Sequence, residues 1–275
     1  METDAVDRLK VIRHFALDLD GTLYLGGKLF DFTPRFLRAL KERKIGRTFL
    51  TNNSSRSTKQ YVAHLRAMGI EADESEICVS THATIAYVKS DLPAVQKLFV
   101  LGTPSLQGEF VEHGFELHGD EPDDEPDAVV VGFDTTLTYP RLCSAAWWIA
   151  RGKPFVATHV DRTCPTDQKT VLPDCGAICK LLTEATGVSP RAVLGKPDPR
   201  MLAPIFARHP LRADELAIVG DRLYTDMAMA RAAGALGILV LTGETTAEQA
   251  KQAEPAPGIV VENVGEVASM LVGLG

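Results

Sequence analysis

Short apolar runs bounded by polar turn residues recur along the chain at 15–19, 47–51, 77–79, 98–101, 128–132, 155–157, 192–194, 216–219 and 238–241, and 259–261 reads as a further edge strand. Segments of helical period lie between them. Phe36, Leu37 and Leu40 share a face after Thr33-Pro34, which reads as an N-cap followed by proline at the first helical position. Tyr61, Leu65 and Met68 repeat at helical spacing from Ser57, with Gly69 as the stop. Met201, Leu202, Ile205 and Phe206 form one face of 199–209, and the alanine-rich 225–233, ending at Gly234, suits close packing on a sheet. Strands alternating with helices in this way predict an α/β fold with a mainly parallel sheet. The acidic, proline-bearing stretch 120–127 fits neither period and reads as a solvated loop.

Composition narrows the picture. A chain of 275 residues, 45% hydrophobic and 24% charged, is ordinary for a globular protein and long enough for one large domain or two modest ones. A net charge of −7 argues against nonspecific nucleic-acid binding, which needs a basic field to displace counterions. The five cysteines form no CxxC pair and cannot all pair within one chain, which suits reduced thiols. The acidic start Met1-Glu2-Thr3-Asp4 is unlike a signal peptide, and no apolar run approaches the roughly 20 residues needed to span a bilayer. A cytoplasmic location with no membrane partner is the resulting expectation.

Four segments carry candidate chemistry, each at the end of an apolar run, where open α/β sheets bind ligands. Asp18-Leu19-Asp20-Gly21-Thr22 presents two carboxylates before a turn, and oxygen ligands of this kind suit magnesium. In Thr51-Asn52-Asn53 a hydroxyl, two amides and backbone N–H groups precede a helix and can cradle phosphate oxygens. Gly195-Lys196-Pro197 offers an ammonium that can neutralise phosphate and carboxylate. Gly220-Asp221, followed by Asp226, supplies a metal-binding carboxylate and a second acid that can orient the site. Each segment alone is equally readable as a capped turn, a loop or a surface lysine. Together they supply every part a phosphate-ester site requires.

In this order the segments resemble the haloacid dehalogenase superfamily. Val131-Gly132-Phe133-Asp134, Ala157-Thr158-His159-Val160-Asp161 and Gly195-Lys196-Pro197 resemble its NagD-like, nitrophenylphosphatase subgroup. The resemblance implies a Rossmann-like core with an inserted α/β cap: core residues 1–85 and 191–275, cap 86–190, with hinges near the crossings. The span of 145 positions from Thr51 to Lys196 is likewise too long for one crossover. It further implies that Asp18 is the nucleophile and Asp20 the acid and base, and that Thr51, Asn52, Asn53 and Lys196 bind phosphate. Mg2+ would be held by Asp18, the carbonyl of Asp20 and Asp221, with Asp226 in support.

The implied activity is hydrolysis of a small phosphorylated metabolite through an aspartyl phosphate. A phosphotransferase using the same intermediate, a phosphoacceptor signalling module and a ligand-binding member without turnover are the alternatives. An Asp two residues after the nucleophile is typical of the phosphatases. In the cap, His159, Asp161, Arg162 and Cys164 fall in the loop that approaches the leaving group in relatives, and so are candidates for specificity. Relatives often pair through the cap, which leaves a homo-oligomer open. Asp174-Cys175-Gly176-Ala177 departs from the Pro-Gly-Ala-Gly usual in the subgroup, a difference bearing on the geometry of that loop.

Overall fold

The computed structural model describes residues 7–118 and 124–274. Residues 120–123 of the acidic stretch lie outside them; in the remainder, Lys97 pairs with Asp124, and Lys153 with Glu125 at 2.6 Å.

Two parallel sheets organise the chain. The first contains β1 (His14–Leu17), β4 (Gly46–Thr51), β5 (Ile77–Val79), β13 (Leu216–Gly220), β14 (Leu236–Val240) and β15 (Ile259–Val261), in the order β15-β14-β13-β1-β4-β5. The second contains β6 (Lys97–Leu101), β7 (Glu116–Leu117), β8 (Ala128–Val131), β9 (Phe155–Ala157) and β12 (Ala192–Val193), in the order β12-β9-β8-β6-β7. Two short hairpins, β2–β3 (Tyr24–Leu25, Lys28–Leu29) and β10–β11 (Thr163–Cys164, Leu172–Pro173), project from the strand ends.

Both faces of each sheet are covered, which is why its strands read as unbroken apolar runs. In the first sheet Phe15, Leu17 and Val219 pack with Phe36 on one side, while Ala16, Leu50 and Ile218 pack with Met201 and Leu202 on the other. In the second, Val129 and Val131 meet Trp148 and Ile149, and Val130 and Val156 meet Leu106 and Phe110. Among the described residues no helix is long and apolar enough to cross a membrane.

The structure revises three local expectations. Phe32, not Thr33, is the N-cap of the helix Thr33–Glu42, because the Thr33 hydroxyl is buried and donates to the Leu23 carbonyl at 2.6 Å. The segment from Pro199 begins as a 3-10 turn, Pro199–Leu202, before the helix Ala203–Arg208. The alanine-rich helix starts with a wider π turn, Leu223–Met227, which carries Asp226 inward. Strand β12 pairs with β9, so residues 192–193 belong to the second sheet and not to the part of the chain that forms the first. The helix Thr58–Ala67 has the expected start, with Ser57 and Gln60 forming a reciprocal capping box.

At the opposite end of the first sheet from those strand ends, buried His14 bonds Thr48 at 2.9 Å and lies 4.6 Å from the His209 ring. Burial, and then His209, lower its pKa from 6.5 to about 4. Above pH 6.5 both folded and unfolded states are neutral there; below it the unfolded chain takes the proton first. Stability is therefore lost as pH falls from about 6.5 to about 4, by up to about 3 kcal/mol. The urea midpoint should fall over this range, and His14→Gln should flatten the fall; equal slopes in the two proteins would contradict the assignment.

Candidate active site

β13, β1 and β4 are adjacent, so the segments that follow or end them converge on one edge. The Asp18 N–H donates to Val219 O at 2.9 Å and continues the register of β1 against β13. Gly21 then turns the chain with φ +83°; a Cβ there would lie 2.7 Å from Asp221 Oδ2. The glycine thus permits both the left-handed turn and the approach of the two acidic loops.

Lys196 is drawn into this edge from the end of the second sheet. Its Nζ bonds Asp18 Oδ1, and Asp226 Oδ1 at 2.7 Å, with all three side chains buried. Burial alone would lower the lysine pKa, but Asp18 and Asp226 raise it, so the ammonium stays charged. Thr22 Oγ1 donates to Asp18 Oδ2 at 3.2 Å.

Oxygens of Asp18, Asp221 and Asp226 lie within 4.8 Å of one another. One oxygen of Asp221 accepts the Glu244 N–H at 2.6 Å, while the other, Oδ1, is buried without a hydrogen-bond partner. Burial, then the charge of Asp18, raise the pKa of Asp221, and burial raises that of Asp226. A crowded set of hard oxygens with one left bare fits a divalent cation. Asp20 sits beside the cluster, its pKa pushed up to about 7 by burial and then by Asp18.

The Thr51 loop is held differently from the simplest sequence reading. Asn52 turns its side chain onto the Lys196 backbone, accepting from its N–H at 2.7 Å and donating to its carbonyl at 3.1 Å. It also donates to Asp161 Oδ1 at 3.2 Å. In this arrangement the Asn52 amide aligns the lysine. Thr51 Oγ1 accepts the Asn53 N–H at 3.1 Å, and Asn53 Nδ2 reaches Cys164 Sγ at 3.5 Å.

From the second sheet, Asp161 and Cys164 line a cavity together with Asp18, Asp20, Thr51 and Lys196. His159 does not line it. That side chain is fully buried, bonding Thr158 at 2.8 Å and Asp174 at 2.8 Å. Burial would lower its pKa, but Asp174 raises it to about 9, giving a charged pair. Arg162 is exposed and also outside the lining, although its carbonyl accepts the Asp174 N–H at 2.9 Å.

Two charged lining residues, Asp174 and Arg222, escaped the sequence reading as functional groups. Asp174 was visible only as a departure from the subgroup's pattern. Arg222 directly follows Asp221, and a cation beside a strand-end acid was the available signal. The cleft is partly open, and the space between these side chains is about 30 Å³, room for a water.

The chain is similar to several known proteins over nearly its whole length. A model described as haloacid dehalogenase-like hydrolase matches residues 15–116, and a second, HAD-hydrolase-like, matches 193–267. An acid sugar phosphatase of Staphylococcus aureus is 31% identical over 263 residues, covering 96% of this chain and 99% of that protein. The solved 4-nitrophenylphosphatase from Thermotoga maritima is 39% identical, with TM-score 0.87, covering 95% of this chain and 98% of that one. A glycerol phosphate phosphatase from Mycobacterium tuberculosis, solved in complex with calcium, is 32% identical with TM-score 0.84, covering 94% of this chain and 76% of that one. The same protein has also been solved in complex with magnesium.

Proposed function

Because the chain belongs to the haloacid dehalogenase-like hydrolases, we propose that it is a magnesium-dependent phosphatase that cleaves small phosphate monoesters through an aspartyl phosphate on Asp18. The observation that carries this reading is the buried cluster of Asp18, Lys196, Asp226 and Asp221, in which Asp221 Oδ1 is unpartnered. The first sheet and its loops would form the core, and the second sheet, extended through β12 to residue 193, the cap.

In the first half-reaction an Asp18 oxygen forms a bond to phosphorus as the bond to the leaving oxygen breaks, and Asp20 gives its proton to that oxygen. The raised pKa of Asp20, about 7, suits a group that must hold a proton and then release it. In the second, water attacks phosphorus, Asp20 takes its proton, and Asp18 leaves as the free carboxylate. Lys196 and the N–H groups of the Thr51 loop hold the phosphoryl oxygens, with Asn52 aligning Lys196. Asp18, the Asp20 carbonyl and Asp221 would hold Mg2+, with Asp226 in support; the bound ion would offset phosphoryl charge.

Transfer to another acceptor would start from the same intermediate. With p-nitrophenyl phosphate as substrate, hydrolysis releases one phosphate per nitrophenol even when glycerol is added, whereas a phosphotransferase releases less phosphate than nitrophenol. Chelation of divalent ions should lower turnover by at least about a hundredfold, and added Mg2+ should restore it. Full activity in the chelated enzyme would oppose the metal assignment.

The cap side of the cavity offers Asp161, Asp174 and Cys164, and Arg222 there is already matched by acids. Acceptors of this kind suit a leaving group with hydroxyls and no second anion. Glycerol phosphate and sugar phosphates should accordingly exceed phosphoglycolate in kcat/KM by about tenfold or more. The reverse order would reject this substrate class.

A further inference from the structure

Arg222 extends from the end of β13 and is only 6% exposed. Every edge of its guanidinium is engaged. Nη1 pairs with Asp161 Oδ2 at 3.1 Å, Nη2 donates to the Thr163 carbonyl at 3.3 Å, and Nε pairs with Glu244 Oε2 at 2.9 Å. Asp161 belongs to the loop that leaves β9 and Thr163 begins β10; Glu244 belongs to the loop after β14 whose backbone holds Asp221. A planar donor fork suits this task better than a lysine would.

Asp161 is correspondingly gripped from both sides. Its Oδ1 accepts from Asn52, which also aligns Lys196, and its Oδ2 faces Arg222, which adjoins Asp221. The loop behind it is firm: Gly176 N–H donates to the Asp161 carbonyl at 2.8 Å, at the start of the helix Cys175–Thr186. The buried His159–Asp174 pair anchors the same turn. Gly176 has no room for a side chain, because its Cβ would run into the Val160 carbonyl.

We infer that Arg222 is a positioning residue that latches the cap loop over the site by gripping Asp161, so that closure and alignment of the Lys196 and Asp221 loops occur together. The space left beside this contact is only about 30 Å³, so admitting a phosphate ester would be eased by its release, and re-forming it would bring the cap loop back over the site. The inference rests on the phosphatase reading for its kinetic consequence only; the contact itself can be tested without turnover.

Cys164 supplies the probe. It is half-buried in the cavity wall, Cys78, Cys175 and Cys179 are buried, and exposed Cys143 can be replaced by serine. In the Cys143→Ser full-length protein, Arg222→Gln and Asp161→Asn should each speed labelling of Cys164 by a maleimide about tenfold or more. The double variant should be no faster than the faster single one, because both break one contact. Arg222→Lys should recover part of the loss. With p-nitrophenyl phosphate, KM should rise by a larger factor than kcat falls.

Unchanged labelling in both single variants, or multiplied effects in the double one, would overturn the latch. If Arg222→Gln fails to fold, the near-isosteric Asp161→Asn carries the same test from the other side. Failure of the phosphatase reading would show separately, as absence of turnover in the parent protein while labelling still responds.

Discussion

Asp18→Asn should lower turnover of p-nitrophenyl phosphate by about four orders of magnitude or more, because an amide cannot replace the carboxylate as nucleophile. The substitution conserves shape, and Thr22, which donates to Asp18 Oδ2, can still donate to an amide oxygen. Lys196 retains Asp226 as a partner, so the ammonium is not stranded. Loss of activity should therefore occur without loss of fold, read as a thermal midpoint within a few degrees of the parent. Retention of more than about a hundredth of the parent turnover would remove Asp18 from the nucleophile's role.

Lys196→Met should affect both activity and stability. In the parent, one ammonium stands between Asp18 and Asp226, and Asp221 lies close by with an unpartnered oxygen. Removing it leaves buried carboxylates facing one another, and breaking a buried pair in this way costs about 3–5 kcal/mol. The catalytic loss should reach about a hundredfold to a thousandfold in kcat/KM, as one source of phosphoryl-charge stabilisation disappears.

The two losses should respond differently to conditions. Acidification to about pH 5 protonates the carboxylates whose pKa values burial has raised, and should narrow the stability gap between variant and parent. It should not restore catalysis, since protons do not replace a fixed cation over the phosphoryl group. An unaltered unfolding midpoint at neutral pH would mean that the carboxylates find another partner.

Most of the first sheet was legible because strands covered on both faces must be apolar at nearly every position. The run 15–19 and the run 216–219 announce themselves in this way, but that they lie side by side was visible only in the folded sheet. β7, Glu116–Leu117, was not legible, being two residues long and half polar at an edge. The same limit applied to the hairpins, whose pairings involve two residues per strand and leave little periodicity to read. Thr33 misled for another reason: a threonine before proline is a good N-cap locally, but a carbonyl ten residues earlier claimed its hydroxyl.

Among the candidate site residues, local order accounts for Asp18, Asp20, Thr51, Asp221 and Asp226, since each follows or ends an apolar run or opens the helical turn beyond one, and strand ends in a parallel sheet share one edge; Lys196 also follows an apolar run, but one that belongs to the second sheet. The cap loop obeys no such rule. His159 and Asp161 are two residues apart, yet the first is buried against Asp174 while the second meets Asn52 and Arg222.

The sequence by itself thus determined which residues can meet at the first sheet's edge, because hydrophobic patterning and strand polarity are properties of the local chain. Tertiary structure alone decided what Asn52 holds, where His159 turns and which acids engage Arg222. These contacts join residues as far apart as Asn52 and Lys196, or Asp161 and Arg222, and they form only when two separately built sheets are brought together.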